Sequence, residues 1–105
     1  MYNKDMPIYQ TAHYQVKPEA VEKVKEAIIE FVKYVKAHEP GTKMYKAWQD
    51  KNDPTKFVHL FIFENEEAQK IHSESEEVKK FESVYSPVLV SGPVVFTDYV
   101  TVAEN

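Results

Sequence analysis

KFVHLFIFENEEAQKIH, Lys56 to His72, is the stretch that decides the fold. Its first half sets Phe57, His59, Phe61 and Phe63 against Val58, Leu60, Ile62 and Glu64, a period of two that sends successive side chains to opposite faces of a β-strand. Both faces are largely apolar, whereas a strand with one wet face alternates apolar with polar. Such a strand needs cover on both sides. The second half changes period. Asn65 caps a short helix, Glu66 and Glu67 fill its first turn, and Ala68, Ile71 and His72 share one side at spacings of three and four.

Working outward, PIYQTAHYQV (Pro7 to Val16) alternates Ile8, Ala12, Tyr14 and Val16 against Tyr9, Thr11, His13 and Gln15, and reads as a first strand. Pro18 suits the first helical position, and Val21, Val24, Ile28, Phe31, Val32 and Val35 follow at helical spacing. AHEPG stops that helix, because Pro40 cannot continue it and Gly41 frees the backbone. TKMYKAWQD is a second strand, and the Asn, Asp and Pro of KNDPTK make the loop into the third. After SES a further helical piece runs from about Glu76 to Tyr85, with Val78, Phe81, Val84 and Tyr85 inward. Pro87 and SGP (Ser91 to Pro93) break the chain before a fourth strand, VVFTDYVTV.

The order βαββαβ, its second α split in two, predicts a ferredoxin-like α+β sandwich with a four-stranded antiparallel sheet under helices. The 105 residues are read as a single domain, 1–105. A chain this short buries only about two-thirds of its unfolded surface, and the exposed sheet face calls for a second copy about a two-fold axis.

Composition removes several function classes. There is no cysteine, which excludes disulfides, thiolate metal sites and cysteine nucleophiles. All 13 basic residues are lysine, so the planar fork that grips phosphate and guanine is missing. With a net charge of -4 and no basic stripe, no nucleic acid is expected as partner. The apolar residues are too interrupted by charge for a membrane span, and MYNKDMPIYQ lacks the basic and apolar segments of a signal peptide, so the expected location is cytoplasmic. With Gly41 and Gly92 the only glycines, neither a phosphate loop nor a GxSxG elbow can be built.

Chemistry is then left to histidine. His59, on an aromatic strand, is either a core imidazole satisfied by a hydroxyl or carbonyl, or a proton-transfer group. His72 either caps a helix end or reaches the same pocket. His13, His59 and His72 show no HxH or HxxxH pair, so no metal site is expected. Tyr45 and Trp48 have opposite parity on the second strand and therefore face opposite sides of the sheet.

EPGTKMY, DPTKFVHLFIFENEEAQKIH, SEEVKKF and SGPVV, in this order, resemble the antibiotic biosynthesis monooxygenase (quinol monooxygenase-like) family over almost the whole chain. The resemblance implies a dimeric α/β barrel. It also implies oxidation of a phenol or quinol by molecular oxygen with neither metal nor flavin as cofactor. Carried over, the polar strand-three position falls on His59, the aromatic four residues later on Phe63, and the helix histidine on His72. Where relatives read SPHF this chain has SEEV, so Glu77 replaces a second histidine. A strand-three glutamate is replaced by Phe61, and the arginine of the oxygenases is absent.

The expectation is therefore a homodimeric, cofactor-independent monooxygenase acting on a small aromatic or quinol-like molecule. His59 is expected as general base, His72 as second catalytic polar group, and Phe57, Phe61, Phe63, Trp48 and Glu77 as substrate-binding residues. A non-redox isomerase, a dimeric binding protein without turnover and haem degradation through His72 are the alternatives.

Overall fold

A computed structural model describes residues 5–105. Strand β1 (Ile8–Val16) is followed by a tight helical turn opened by Pro18 and then by α1 (Val21–His38). Strands β2 (Thr42–Gln49) and β3 (Lys56–Phe63) come next, then α2 (Glu66–Ser73), α3 (Glu76–Tyr85) and β4 (Leu89–Tyr99). The sheet order is β2-β3-β1-β4, and the paired neighbours are antiparallel. This is the expected ferredoxin-like α+β arrangement, with β3 and β1 in the centre.

Register explains which residues meet. His59 lies opposite Ala12 of β1 and opposite Ala47 of β2, so a small side chain flanks it on each side. Phe57, His59, Phe61 and Phe63 all point under the helices and are buried. Helix α1 answers with Val24, Ile28, Phe31 and Val35, a stripe at spacings of four, three and four that faces the sheet. Most of the buried apolar residues form one cluster around Tyr14, Phe31, Phe57 and Phe81. A smaller one gathers Ala12, Phe61, Phe63 and Ala68 at the other end of β3. His59 sits between them.

The caps follow the sequence. The Asn65 side chain accepts from the Ala68 N–H at 2.9 Å, and Ser75 caps α3 by accepting from Val78 at 3.1 Å. The turn after α1 is tighter. A Cβ on Gly41 would lie 2.6 Å from the Ala68 Cβ, and the Gly41 carbonyl accepts from Glu64 N–H at 2.7 Å, so glycine lets this turn rest directly on α2.

Two expectations are corrected. Strand β4 begins at Leu89, before SGP rather than after it. The β1 register jumps from His13 opposite Val95 to Gln15 opposite Val90, and Ser91 (φ 63°) and Gly92 (φ 101°) lie in that irregularity. A bulged edge strand accommodates both positive φ angles and Pro93. Ile71, expected beside His72 on the inward side, is 56% exposed, because a helix this short buries only the narrow stripe through Ala68 and His72.

The opposite sheet face carries Trp48, Val58, Leu60, Ile62, Val95 and Tyr99 by the same register. No helix among the described residues covers it.

Gly41→Ala is expected to destabilise the fold by about 1–3 kcal/mol, since backbone-borne Ala68 cannot easily move aside. A lowered urea midpoint with unchanged m-value is the expected result; an unchanged midpoint would contradict the close approach.

Candidate active site

Between the two apolar clusters lies a cavity of about 290 Å³ under α1, α2 and α3, walled by aromatic rings and holding few polar groups. Its two histidines each belong to a separate hydrogen-bonded set, and Gln10, Ser73, Glu82 and Tyr85 also line it.

The first is centred on His59, which is 1% exposed. The Tyr14 hydroxyl lies 2.7 Å from His59 Nε2 and the Tyr45 hydroxyl 2.8 Å from Nδ1. Burial holds the ring's pKa down at about 4, so it is neutral at physiological pH. Burial, reinforced by neighbouring Tyr85, pushes the Tyr14 hydroxyl far above its ordinary range. Tyr45 is raised by burial, then by Tyr14, Tyr85 and Glu39, and Tyr85 is raised to about 12 by burial and Glu82.

All three phenols therefore keep their hydrogens. A neutral imidazole has one N–H and one bare nitrogen, so one tyrosine donates to the ring and the other accepts from it. The accepting tyrosine keeps its own O–H free. Both tyrosines line the cavity, so this set offers an occupant one hydroxyl donor.

The second set is His72 and Glu39. His72 Nδ1 lies 2.7 Å from Glu39 Oε1, which also accepts from the Thr42 hydroxyl at 3.0 Å. Since a carboxylate only accepts, Nδ1 carries the hydrogen, and in the neutral ring Nε2 keeps the lone pair. Nε2 makes no hydrogen bond among the described residues, and the ring lines the cavity between Phe63 (centroids 5.1 Å apart) and Phe31 (5.6 Å). This set offers an acceptor. Tyr45 stands between the two, with ring centroids 5.6 Å from His59 and 5.8 Å from His72.

Of the residues expected from sequence, His59, His72, Phe61 and Phe63 line this cavity together. Phe57 does not: it is stacked behind Tyr14 at 5.6 Å, in the main cluster. Trp48 is 54% exposed on the opposite face of the sheet, paired with Val58, because its parity is that of the outward residues. Glu77 turns toward α1, beside Ala27 and Glu30, because the cavity side of α3 is taken by Val78, Phe81, Glu82 and Tyr85. His59, expected as general base, is held by burial at a pKa of about 4, well below the range suited to that role near neutral pH.

Tyr14, Tyr45, Tyr85 and Glu39 were not singled out for chemistry. The parity of Tyr45 against Trp48 already separated them by face, and strand alternation put Tyr14 on one face with Ala12 and Val16. Only the β1–β3–β2 register brings both hydroxyls to one imidazole. For Glu39, in a turn distant from His72 in sequence, no local signal exists.

A ferredoxin-like sheet with an aromatic cavity under its helices defines a class of small α+β proteins. The sequence profile of the antibiotic biosynthesis monooxygenase domain matches residues 7–83, and the chain belongs to that family. A sequence comparison with curated proteins finds no match. Among solved structures, a Caulobacter crescentus protein assigned to the antibiotic biosynthesis monooxygenases is 21% identical, with TM-score 0.85 over 95% of this chain and 93% of that one. A Bacteroides thetaiotaomicron protein of the same assignment is 19% identical, with TM-score 0.86 over 96% and 94%. A Lactobacillus acidophilus protein assigned as a monooxygenase is 20% identical, with TM-score 0.84 over 91% of this chain but 45% of its own.

The buried ring makes stability depend on pH. Above about 6.5 the neutral form prevails in folded and unfolded chains alike, and its contribution is complete. As pH falls from about 6.5 to about 4, the unfolded chain binds a proton that the folded chain refuses, and up to about 3 kcal/mol is lost. Urea unfolding of wild type and His59→Asn at about pH 7 and about pH 4.5 is expected to show the larger acid loss in wild type. Parallel losses would contradict it.

Proposed function

We propose that this protein is a cofactor-independent monooxygenase of a small phenolic or quinol substrate, the described fold acting as one domain. One observation carries this reading: a single aromatic-walled cavity holds an unpaired imidazole nitrogen on one side and a free tyrosine hydroxyl on the other. Family membership supports the reaction class.

His72, rather than His59, is the general base in this reading. Its Nε2 takes the proton from a substrate hydroxyl, while both nitrogens of His59 are committed to tyrosines. The phenolate that forms is electron-rich, and the hydroxyl presented by Tyr14 or Tyr45 stabilises its charge in a site of low dielectric. Molecular oxygen then adds at a ring carbon, and the resulting hydroperoxide loses water. A naphthohydroquinone becomes a hydroxynaphthoquinone: the substrate supplies four electrons, one oxygen atom stays on carbon and the other leaves as water. The Tyr14–His59–Tyr45 set serves as a hydrogen-bond donor that stays uncharged throughout.

The functional unit is a homodimer in this reading. Trp48, Val95 and Tyr99 are each more than half exposed on the uncovered sheet face, around the partly buried Val58, Leu60 and Ile62. An apolar face of this kind is suited to a second copy about a two-fold axis. The Lactobacillus acidophilus neighbour, matched over 45% of its length, has a chain long enough for two such units.

Oxygen uptake with naphthohydroquinone is expected to exceed autoxidation and to fall by about a hundredfold in His72→Ala, the usual scale for a lost general base. Equal uptake in that variant would remove His72 from the role. Light scattering at micromolar concentration is expected to give twice the chain mass, and a charge within the patch, Val95→Glu, to shift the protein toward monomer; a monomeric wild type would contradict the dimer.

A further inference from the structure

Glu39 is buried, yet only one of its carboxylate oxygens is used. Oε1 receives both His72 Nδ1–H and the Thr42 hydroxyl, whereas Oε2 has no hydrogen-bond partner among the described residues. Leaving a buried carboxylate oxygen unpaired is costly, so a purely structural ion pair is a poor account of this arrangement. The two partners also border different spaces. His72 lines the aromatic cavity, whereas Glu39 borders a second cleft of about 310 Å³ on the far side, together with His38, Thr42, Glu64 and Glu67. A single 2.7 Å hydrogen bond joins the two spaces.

We propose that Glu39 is a positioning residue that holds His72 with its Nε2 lone pair toward the cavity and passes the proton taken there out to the second cleft. The step balances simply. Nε2 accepts a proton from the substrate, the Nδ1 hydrogen moves to Glu39 Oε1 as that N–H bond breaks, and the carboxyl group releases a proton on the cleft side. His72 is then a neutral ring protonated on Nε2, and it resets when Nε2–H protonates the peroxide formed on the substrate while Glu39 takes a proton back from the cleft and returns it to Nδ1. No charge then remains in the apolar cavity between turnovers. The turn at residues 39–42 is built for this: Gly41 rests against Ala68 one helical turn before His72, and Thr42 fixes the rotamer of Glu39.

This rests on the oxygenase reading for its kinetic part only. Imidazole nitrogen NMR of the full chain without ligand is expected to show His72 as the Nδ1–H tautomer in wild type and as a mixture in Glu39→Ala. With naphthohydroquinone, Glu39→Gln, which keeps the shape but cannot take the proton, is expected to lower kcat at least about tenfold with KM changed less than about twofold. In Glu39→Ala, where truncation leaves room for it, added formate should restore part of kcat. An unchanged tautomer in Glu39→Ala, or an unchanged kcat in Glu39→Gln, overturns the proposal. If wild type takes up no oxygen, the oxygenase reading falls and the tautomer result alone decides for or against Glu39.

Discussion

An imidazole buried to 1% exposure must satisfy both nitrogens within the protein, and His59 does so with two tyrosine hydroxyls from two different strands. That requirement ties β1, β3 and β2 into one register. Tyr14 sits on β1 opposite Phe57, Tyr45 on β2 opposite Phe61, and each reaches diagonally to the residue between them. A slip of one residue in either strand would turn its tyrosine to the outer face and strand a polar nitrogen in the core, at a cost of about 1–3 kcal/mol. The alanines directly opposite His59, Ala12 and Ala47, leave the room that the diagonal contacts need.

The same constraint shapes the cavity. Because the histidine interrupts the apolar face of β3, the core separates into two clusters, and the space between them is walled by rings but keeps a polar floor. Burial holds His59 neutral and the phenols protonated, so the floor is a hydrogen-bond donor without charge. The second hydrogen-bonded set lies apart from it, where α2 brings His72 over the sheet and the turn after α1 brings Glu39 to it. An acceptor and a donor lining one aromatic-walled pocket suit the removal of a proton from one oxygen and the stabilisation of the anion that results.

His72 and His59 also show why residue type alone does not assign a role. Both are histidines on or next to the same apolar run. One has its nitrogens shared between phenols, which leaves no site for an incoming proton; the other has a carboxylate behind it and a bare nitrogen in front. The difference arises from partners distant in sequence. Phe57 and Trp48, plausible walls by composition, are excluded by packing: Phe57 is covered by Tyr14, and Trp48 has the wrong parity.

The fold was legible in the sequence because it rests on local signals. Period-two alternation in 7–16 and 57–64, the helical stripe from Val21 to Val35, the cap Asn65, and the break at Pro40 and Gly41 each act over a few residues and agree with one another. The doubly apolar strand pointed to cover on both faces, and the residues of each face of β3 were separated by parity, while which face lies under the helices was decided by the tertiary structure. What only the tertiary structure decided depends on pairing: the bulge that carries Ser91 to Pro93 inside β4, the meeting of Tyr14 and Tyr45 at His59, and the contact of Glu39 with His72. These are set by cross-strand register and by the approach of a turn to a helix, and neither leaves a mark in the neighbouring sequence.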